Sequence, residues 1–316
     1  MKTTRIHLML AAALLAGGVA QAQSSTQLHW KFEKGKVRTE ISRSKVHMSM
    51  DMMGQTMEVA QDQTYWTVAK IVDVDAEGTA TVERSIKRVL MYMDNPQLGK
   101  FTIDTDKKED PEGPAAMVAG QVRGLVGGKI TYKMKATGEI SDVKVDDALA
   151  AGSGGANLEQ LAKQSAVTFP ADLSVGKTFE TKADMAQGPM TMRITSTYTY
   201  KGKHKGLEKF DCGQKMEIVP DPNMPMQMKI GKQSSEGEYL FDAAKGWVDR
   251  VKVRMNMVME IAGPQGAITQ DMEVVSDTRV VEGEDTKATV GDEDKKSEGG
   301  DEKKSDGEKP QKKGDF

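Results

Sequence analysis

The chain has 316 residues, of which 38% are hydrophobic and 29% charged, and its formal net charge is −3 at pH 7. About 260 residues lie between the first 22 residues and the charged C-terminal segment. They are enough to bury one large core or two small ones. A nearly neutral region of this size gives no basic field for nucleic acid, and no recognition motif for nucleic acid is present.

The first 22 residues have the pattern of a secretory signal peptide. Lys2 and Arg5 precede an apolar run, which ends in the small-x-small cleavage site Ala20-Gln21-Ala22. We therefore expect cleavage after Ala22 and a periplasmic or secreted location. The single cysteine, Cys212, cannot form an internal disulfide, and a small buried residue is favoured over a reactive thiol. Export without disulfides fits a bacterial envelope.

Alternating polar and apolar residues predict mostly β-strands after the leader. A short strand at residues 28–32 opens the fold, and residues 36–93 form a long antiparallel meander. The apolar positions change phase between Ile41 and Val46. This change predicts a break or bulge near residues 42–45.

Two later hairpins carry the same small and branched residues at matching offsets. An internal repeat and the chance similarity of two tight turns are equally open interpretations. The matching positions are Ala136, Gly138, Val143 and Val145 in the first hairpin and Ala244, Gly246, Val251 and Val253 in the second.

Residues 114–125 and 146–166 predict the helical part of the chain, and strands resume up to residue 281. The predicted fold class is mainly β with a small helical insertion: a large curved antiparallel sheet or a half-open barrel. The matching hairpins suggest two related β units, residues 28–145 and 167–281, joined by a helical connector at 146–166.

The charged end is set apart by composition. Residues 282–316 contain twelve acidic and eight basic residues and no aromatic residue before Phe316. Such a segment buries too little apolar surface to offset its ordering entropy. We therefore predict a β-rich domain at 23–281 and a disordered charged tail at 282–316.

Methionine is the compositional outlier, with 22 in the chain, many of them at alternate positions that share one face of a strand. Core packing, an adaptable apolar groove for a lipid or hydrophobic peptide, and Cu(I) binding are the three interpretations, favoured in that order. Copper ranks last because only His47, beside Met48, lies near a methionine run. The groove candidates are Met48, Met50, Met52, Met190, Met192, Met255, Met257 and Met259.

No catalytic residue, metal ligand or cofactor is predicted. Asp73-x-Asp75-x-Glu77-Gly78 begins like a calcium loop, but Arg84 occupies the twelfth position, so a hairpin turn is favoured. The glycine-rich stretch 152–155 indicates a linker, and no nucleophile or metal-binding histidine spacing appears. A pair of acid–base carboxylates would be invisible in the sequence.

Three motifs carry a resemblance to a known family: Leu28-x-Trp30-x-Phe32-x-x-Gly35, Phe169-Pro170-x-x-x-Val175-Gly176-Lys177 and Leu240-Phe241-Asp242-x-x-x-Gly246-Trp247. Through them, most of residues 28–281 resembles a large uncharacterised family of secreted bacterial envelope proteins, a domain of unknown function. Phe179 stands where a tryptophan is expected. The resemblance implies export and a β-rich fold, but no activity and no binding residues. At the level of fold, the chain is more loosely similar to convex-sheet carriers of lipoproteins and lipids in bacterial envelopes.

We therefore predict a non-enzymatic exported protein whose curved sheet, lined partly by methionine, binds an apolar ligand such as a lipid, or another envelope protein. A structural or assembly module of the envelope, with the charged tail as a tether, is the alternative. Methionine-based Cu(I) binding is the third hypothesis, and an envelope hydrolase has no support in the sequence.

Overall fold

The computed structural model describes residues 26–52, 54–152, 158–163, 165–187, 190–219, 227–263 and 266–290. These residues form twelve strands and three short helices, in agreement with the alternating pattern of the sequence. The elements are β1 (Val37–Met52), β2 (Gln55–Val74), β3 (Ala80–Asn95), β4 (Gly99–Asp104), α1 (Ala115–Gly124), β5 (Lys129–Met134), β6 (Ile140–Val145), α2 (Asp147–Gly152), α3 (Leu158–Lys163), β7 (Thr178–Gln187), β8 (Met190–His204), β9 (Leu207–Val219), β10 (Gln227–Asp242), β11 (Trp247–Gly263) and β12 (Gly266–Glu282).

The strands form one antiparallel sheet in the order β6-β5-β3-β2-β1-β12-β11-β10-β9-β8-β7, with β4 beside β3. The edge strands β6 and β7 do not pair with each other, so the sheet is not closed into a barrel, and α3 contacts both of them. The predicted fold class, a mainly β chain with a small helical insertion on a large open antiparallel sheet, is confirmed. The predicted units at 28–145 and 167–281 meet where β1 pairs with β12, and their common origin stays a prediction.

The strand register gives the sheet two unlike faces. Ser42, Tyr65 and Val89 are directly paired across β1, β2 and β3, and they define the inner face. Helix α1 packs on this face, where Ala119 and Val122 join the apolar cluster of Val89. The inner face therefore carries the helices and most of the buried apolar side chains.

The main apolar cluster fills one end of the inner face around Trp30, which is 4% exposed. The Trp30 ring centroid lies 5.0 Å from that of Trp247 and 5.4 Å from that of Phe241. The indole Nε1 donates a hydrogen bond to the Val167 carbonyl at 3.0 Å. This end of the open sheet is therefore a packed aromatic core.

The segment around Trp30 is not the short strand that the sequence predicts. The backbone N–H of Trp30 donates to the Ala136 carbonyl at 2.8 Å, and that of Lys31 donates to the Gly246 carbonyl at 3.0 Å. These two carbonyls belong to the turns of the β5–β6 and β10–β11 hairpins. The segment is held by two turns rather than by a neighbouring strand, so it forms no ladder.

The same contact gives a physical reason for the similarity of the two hairpins. Gly138 and Gly246 have positive φ angles of +94° and +62°. A Cβ on Gly138 would collide with the Val167 carbonyl, and one on Gly246 would collide with the backbone of Lys31. Both turns need a glycine because both lie directly against the packed core around residues 30–31.

The bulge predicted at residues 42–45 is wrong. These residues of β1 pair without a shift with both β2 and β12. The apolar pattern changes phase because the apolar side chains of β1 lie on opposite faces of the sheet in its two halves. Ile41 is buried on the outer face against Trp66 and Val290, whereas Val46 lies on the inner face.

The first residues of the predicted charged tail contact the sheet: Glu282 ends β12, and residues 283–290 follow on its outer face. The Trp66 Nε1 donates to the Ala288 carbonyl at 2.8 Å, and the Arg88 Nη1 donates to the Thr286 carbonyl at 3.1 Å. The Val290 side chain is 6% exposed. Polar backbone groups and one apolar side chain find partners on the outer face, which offsets the ordering entropy. The rest of the predicted tail, 291–316, and the predicted signal peptide lie outside the described residues.

Candidate functional site

A cavity of about 630 Å³ lies between the inner face and the helical segments. Its volume is within the range of about 300–1,000 Å³ typical of small-molecule sites. Apolar side chains from both sides dominate its lining. They are Tyr65, Ile86 and Ile130 from the sheet, Leu125 after α1, Leu149 from α2, and Leu158 and Ala162 from α3.

Asp146 fixes the position of α2, which forms one side of the cavity. One of its carboxylate oxygens accepts the Leu149 N–H at 2.8 Å, and the other accepts the Lys129 N–H at 2.7 Å. This bridge holds α2 to the start of β5. It places Leu149 so close to Gly128 that a Cβ on that glycine would lie 2.7 Å from the leucine Cβ. The side of the cavity is therefore set by a capping carboxylate and by a glycine that makes room for Leu149.

A polar group interrupts the apolar lining at Arg84. Its Nη2 donates to Glu40 Oε2 at 2.7 Å, across the intervening strand β2. The Glu40 carboxylate raises the pKa of Arg84 further above its ordinary value. The guanidinium therefore remains charged, and its charge is balanced inside the protein.

Tyr132, from β5, completes this group. It is 3% exposed and contacts both Arg84 and Ser165. Burial raises the pKa of Tyr132 above its ordinary value, so its hydroxyl stays protonated at neutral pH. The cavity thus offers hydrogen-bonding groups at one wall and apolar side chains over the rest, which is an arrangement suited to binding an amphiphilic molecule.

The described lining residues of the cavity include no methionine. Instead, the predicted groove residues lie elsewhere on the sheet, in β1, β8 and β11. In β1, Met48 and Met50 follow the cavity-lining Ser42 at even spacing, so they share its inner face, with Met48 about 20 Å away along the strand. Met50 is directly paired with Met57.

The predicted groove residues of β11 continue this pattern across the neighbouring strand β12. Met257 is paired with Met272, which in turn is paired with Met48. Met255 and Met257 are buried, at 8% and 4% exposure, whereas Met48, Met50, Met192 and Met259 are half-buried. Met52 and Met190 belong to β1 and β8, but their side chains lie outside the described part. The groove interpretation stays a prediction for all eight.

The structure separates His47 from the methionines. His47 is exposed and pairs with Glu273 on the outer face, opposite to Met48. Within the described part of the chain, no three His, Cys, Asp or Glu residues are grouped so as to hold a metal ion. A soft cation bound here would have to rely on thioethers without this histidine.

The structure explains the stretch at residues 73–78 that resembles a calcium loop. Asp75 accepts the backbone N–H groups of Glu77 and Thr79, at 3.1 and 2.7 Å, so the calcium-like stretch is the β2–β3 turn, as the sequence predicts.

Cys212 is a free, half-buried cysteine, and burial raises the pKa of its thiol to about 12. An unreactive packing role is the chemistry this environment allows.

The polar group of Glu40, Arg84 and Tyr132 was not predicted from the sequence. A signal for Arg84 was present, because it lies midway between the apolar Val82 and Ile86 in a strand of alternating pattern. A charged residue at an inward position needs a partner. The partner, Glu40, lies 44 residues earlier, and no local sequence pattern links the two positions.

No protein-family model matches the chain, and no curated protein matches it. The resemblance of residues 28–281 to a family of envelope proteins therefore stays a prediction. Within the part of the chain that the structure covers, no helix has the length and hydrophobicity needed to cross a membrane.

Solved structures give weak matches. An outer membrane channel from Pseudomonas putida F1 is 7% identical, with a TM-score of 0.22, and the match covers 80% of this chain and 97% of that one. OccK7 (OpdD) from Pseudomonas aeruginosa is 4% identical, with a TM-score of 0.22, over 78% of this chain and 100% of that one. DynF, from the dynemicin biosynthesis pathway of Micromonospora chersina, is 9% identical, with a TM-score of 0.19, over 84% and 92% of the two chains. At these scores the matches support no conclusion about function.

Proposed function

We propose that this protein is a non-enzymatic binding protein of the bacterial envelope that holds an apolar or amphiphilic small molecule between its open sheet and its helices. The observation that carries the proposal is the cavity of about 630 Å³ with its mainly apolar lining. Burying an apolar chain there gains about 25 cal/mol for each Å² of apolar surface removed from water.

The methionine positions of the inner face support the same function. They give the inner face a second region with apolar side chains, along β1 and β11, through Met48, Met50, Met257 and Met259. Thioether side chains are flexible, and they repack around ligands of different shape. An open sheet with such a surface suits a carrier better than an enzyme, whose site must hold reacting groups rigidly.

The first test is native mass spectrometry of the protein purified from envelope extract, compared with its denatured mass. We expect an excess of several hundred daltons that is lost on denaturation. An excess equal to one or more copper ions would favour the Cu(I) hypothesis instead. A bare protein that also fails to bind apolar probes added in vitro would contradict the proposal and favour a structural module.

A matched pair of variants locates the binding. Ala162→Phe places a ring into the cavity from α3, and Met117→Phe adds the same ring at a position on α1 that is 70% exposed. N-phenylnaphthylamine is an apolar probe that fluoresces more strongly when it is bound. We expect its fluorescence to be lower with Ala162→Phe than with the unmodified protein, and to be unchanged with Met117→Phe. Circular dichroism checks that both variants keep the β fold.

A further inference from the structure

The cavity balances its own charge, and this balance restricts the ligands it can accept. Among the described lining residues, Arg84 is the single side chain that is charged at neutral pH. Glu40 neutralises it through the 2.7 Å hydrogen bond. With Tyr132 protonated, the polar wall has no net charge.

Arg84 nevertheless retains hydrogen-bonding capacity. A guanidinium has five N–H donors, and the bonds to Glu40 and to the Tyr132 hydroxyl use two of them. The Tyr132 hydroxyl lies beside it, and Ser165 continues the polar group towards the exposed segment after α3. An oxygen acceptor entering from the cavity would meet donors without displacing the ion pair.

A second negative charge would be unfavourable at the same place. An anion beside Arg84 would also lie beside the Glu40 carboxylate, and the group would then have a net charge of −1 within mostly apolar walls. Desolvating an uncompensated charge costs several kcal/mol, whereas a neutral carbonyl or hydroxyl needs only its hydrogen bonds. Charge balance therefore favours an uncharged polar end on the ligand.

We propose that the ligand of this cavity is an uncharged amphiphile, an apolar chain ending in an ester, carbonyl or hydroxyl oxygen, with that oxygen bound by Arg84 and Tyr132. This inference rests on the proposed binding function and names the chemical class of its ligand. In this assignment, Glu40 is the residue that sets specificity, because its carboxylate excludes anionic head groups.

The test compares two fluorescent probes with the same chain, cis-parinaric acid and its methyl ester, at neutral pH. For the unmodified protein we expect the ester to bind at least about tenfold more tightly than the carboxylate, which corresponds to about 1.4 kcal/mol. Equal binding, or tighter binding of the acid, would overturn the assignment while leaving the proposed function standing. If neither probe binds, the proposed function itself fails.

Glu40→Gln gives the sharper test. Glutamine keeps the size of the side chain and an oxygen acceptor for Arg84, but it removes the compensating charge. We expect the preference to shift by about tenfold or more towards the carboxylate probe, because Arg84 then lacks a counter-ion. An unchanged preference would refute the role given to Glu40.

A double variant, Glu40→Gln with Arg84→Met, guards against misfolding caused by an unpaired, half-buried charge. It removes both charges together, so the fold does not have to accommodate one alone. The shift towards the carboxylate probe that is expected for Glu40→Gln should be absent in this variant, while the ester still binds. If the double variant kept that shift, Arg84 would not be the group that binds the head of the ligand.

Discussion

The turn glycines Gly138 and Gly246 allow a direct test of how the N-terminal segment is packed. Replacing either by alanine forces a left-handed residue to carry a Cβ, which costs about 1–2 kcal/mol. A smaller unfolded-state entropy offsets about 0.4–1 kcal/mol of that cost. The Cβ also collides with Val167 or with Lys31, and such overpacking adds about 1–3 kcal/mol.

Gly78→Ala is the matched control. Gly78 also has a positive φ, +80°, but an added Cβ there meets no atom within 4 Å. The loss of stability of Gly78→Ala should therefore reflect only the strain of a left-handed residue with a Cβ and the smaller entropy of the unfolded state. We expect Gly138→Ala and Gly246→Ala each to lose about 1–3 kcal/mol more than Gly78→Ala.

The assay is urea unfolding followed by tryptophan fluorescence, since Trp30 and Trp247 pack against each other beside both turns. The double variant should lose less than the sum of the two single variants, because both added Cβ atoms press on the adjacent residues Trp30 and Lys31. Equal losses for all three single variants would refute the explanation that contact with residues 30–31 selects these glycines.

Three further predictions follow from single contacts. Tyr200→Phe should lower the free energy of unfolding by about 1.5–3 kcal/mol in chemical denaturation, because the buried Glu208 carboxylate loses a hydroxyl donor at 2.5 Å; no loss would show that the bond is not needed. Val290→Asp should raise the hydrogen-exchange rate of the 283–290 backbone and lower stability by about 1–3 kcal/mol, since a carboxylate would replace an apolar contact with Trp66; unchanged exchange would contradict the packing. Cys212, with its thiol pKa raised to about 12, should react with a disulfide reagent at pH 8 at least about 100-fold more slowly in the folded than in the urea-unfolded protein; similar rates would refute its burial.

The sequence by itself determined most of the strands and turns of this protein. Alternation over residues 36–93 gave the long strands, and Gly138 and Gly246 marked two turns correctly. These features are local, since each depends on residues that are neighbours along the chain. The open antiparallel sheet with a small helical insertion could therefore be predicted before any contact was known.

Only the tertiary structure decided the contacts between distant residues. Glu40 and Arg84 meet across β2 because the strand register brings together positions 44 residues apart. The cavity exists because α2 and α3 lie over the inner face, and no local pattern encodes that placement. Likewise, the phase change after Ile41 looked like a bulge, because the sequence could not show that residues 283–290 return to cover the outer face. Local periodicity specifies strands and turns, whereas the packing of distant segments decides which faces are buried and where a ligand can bind.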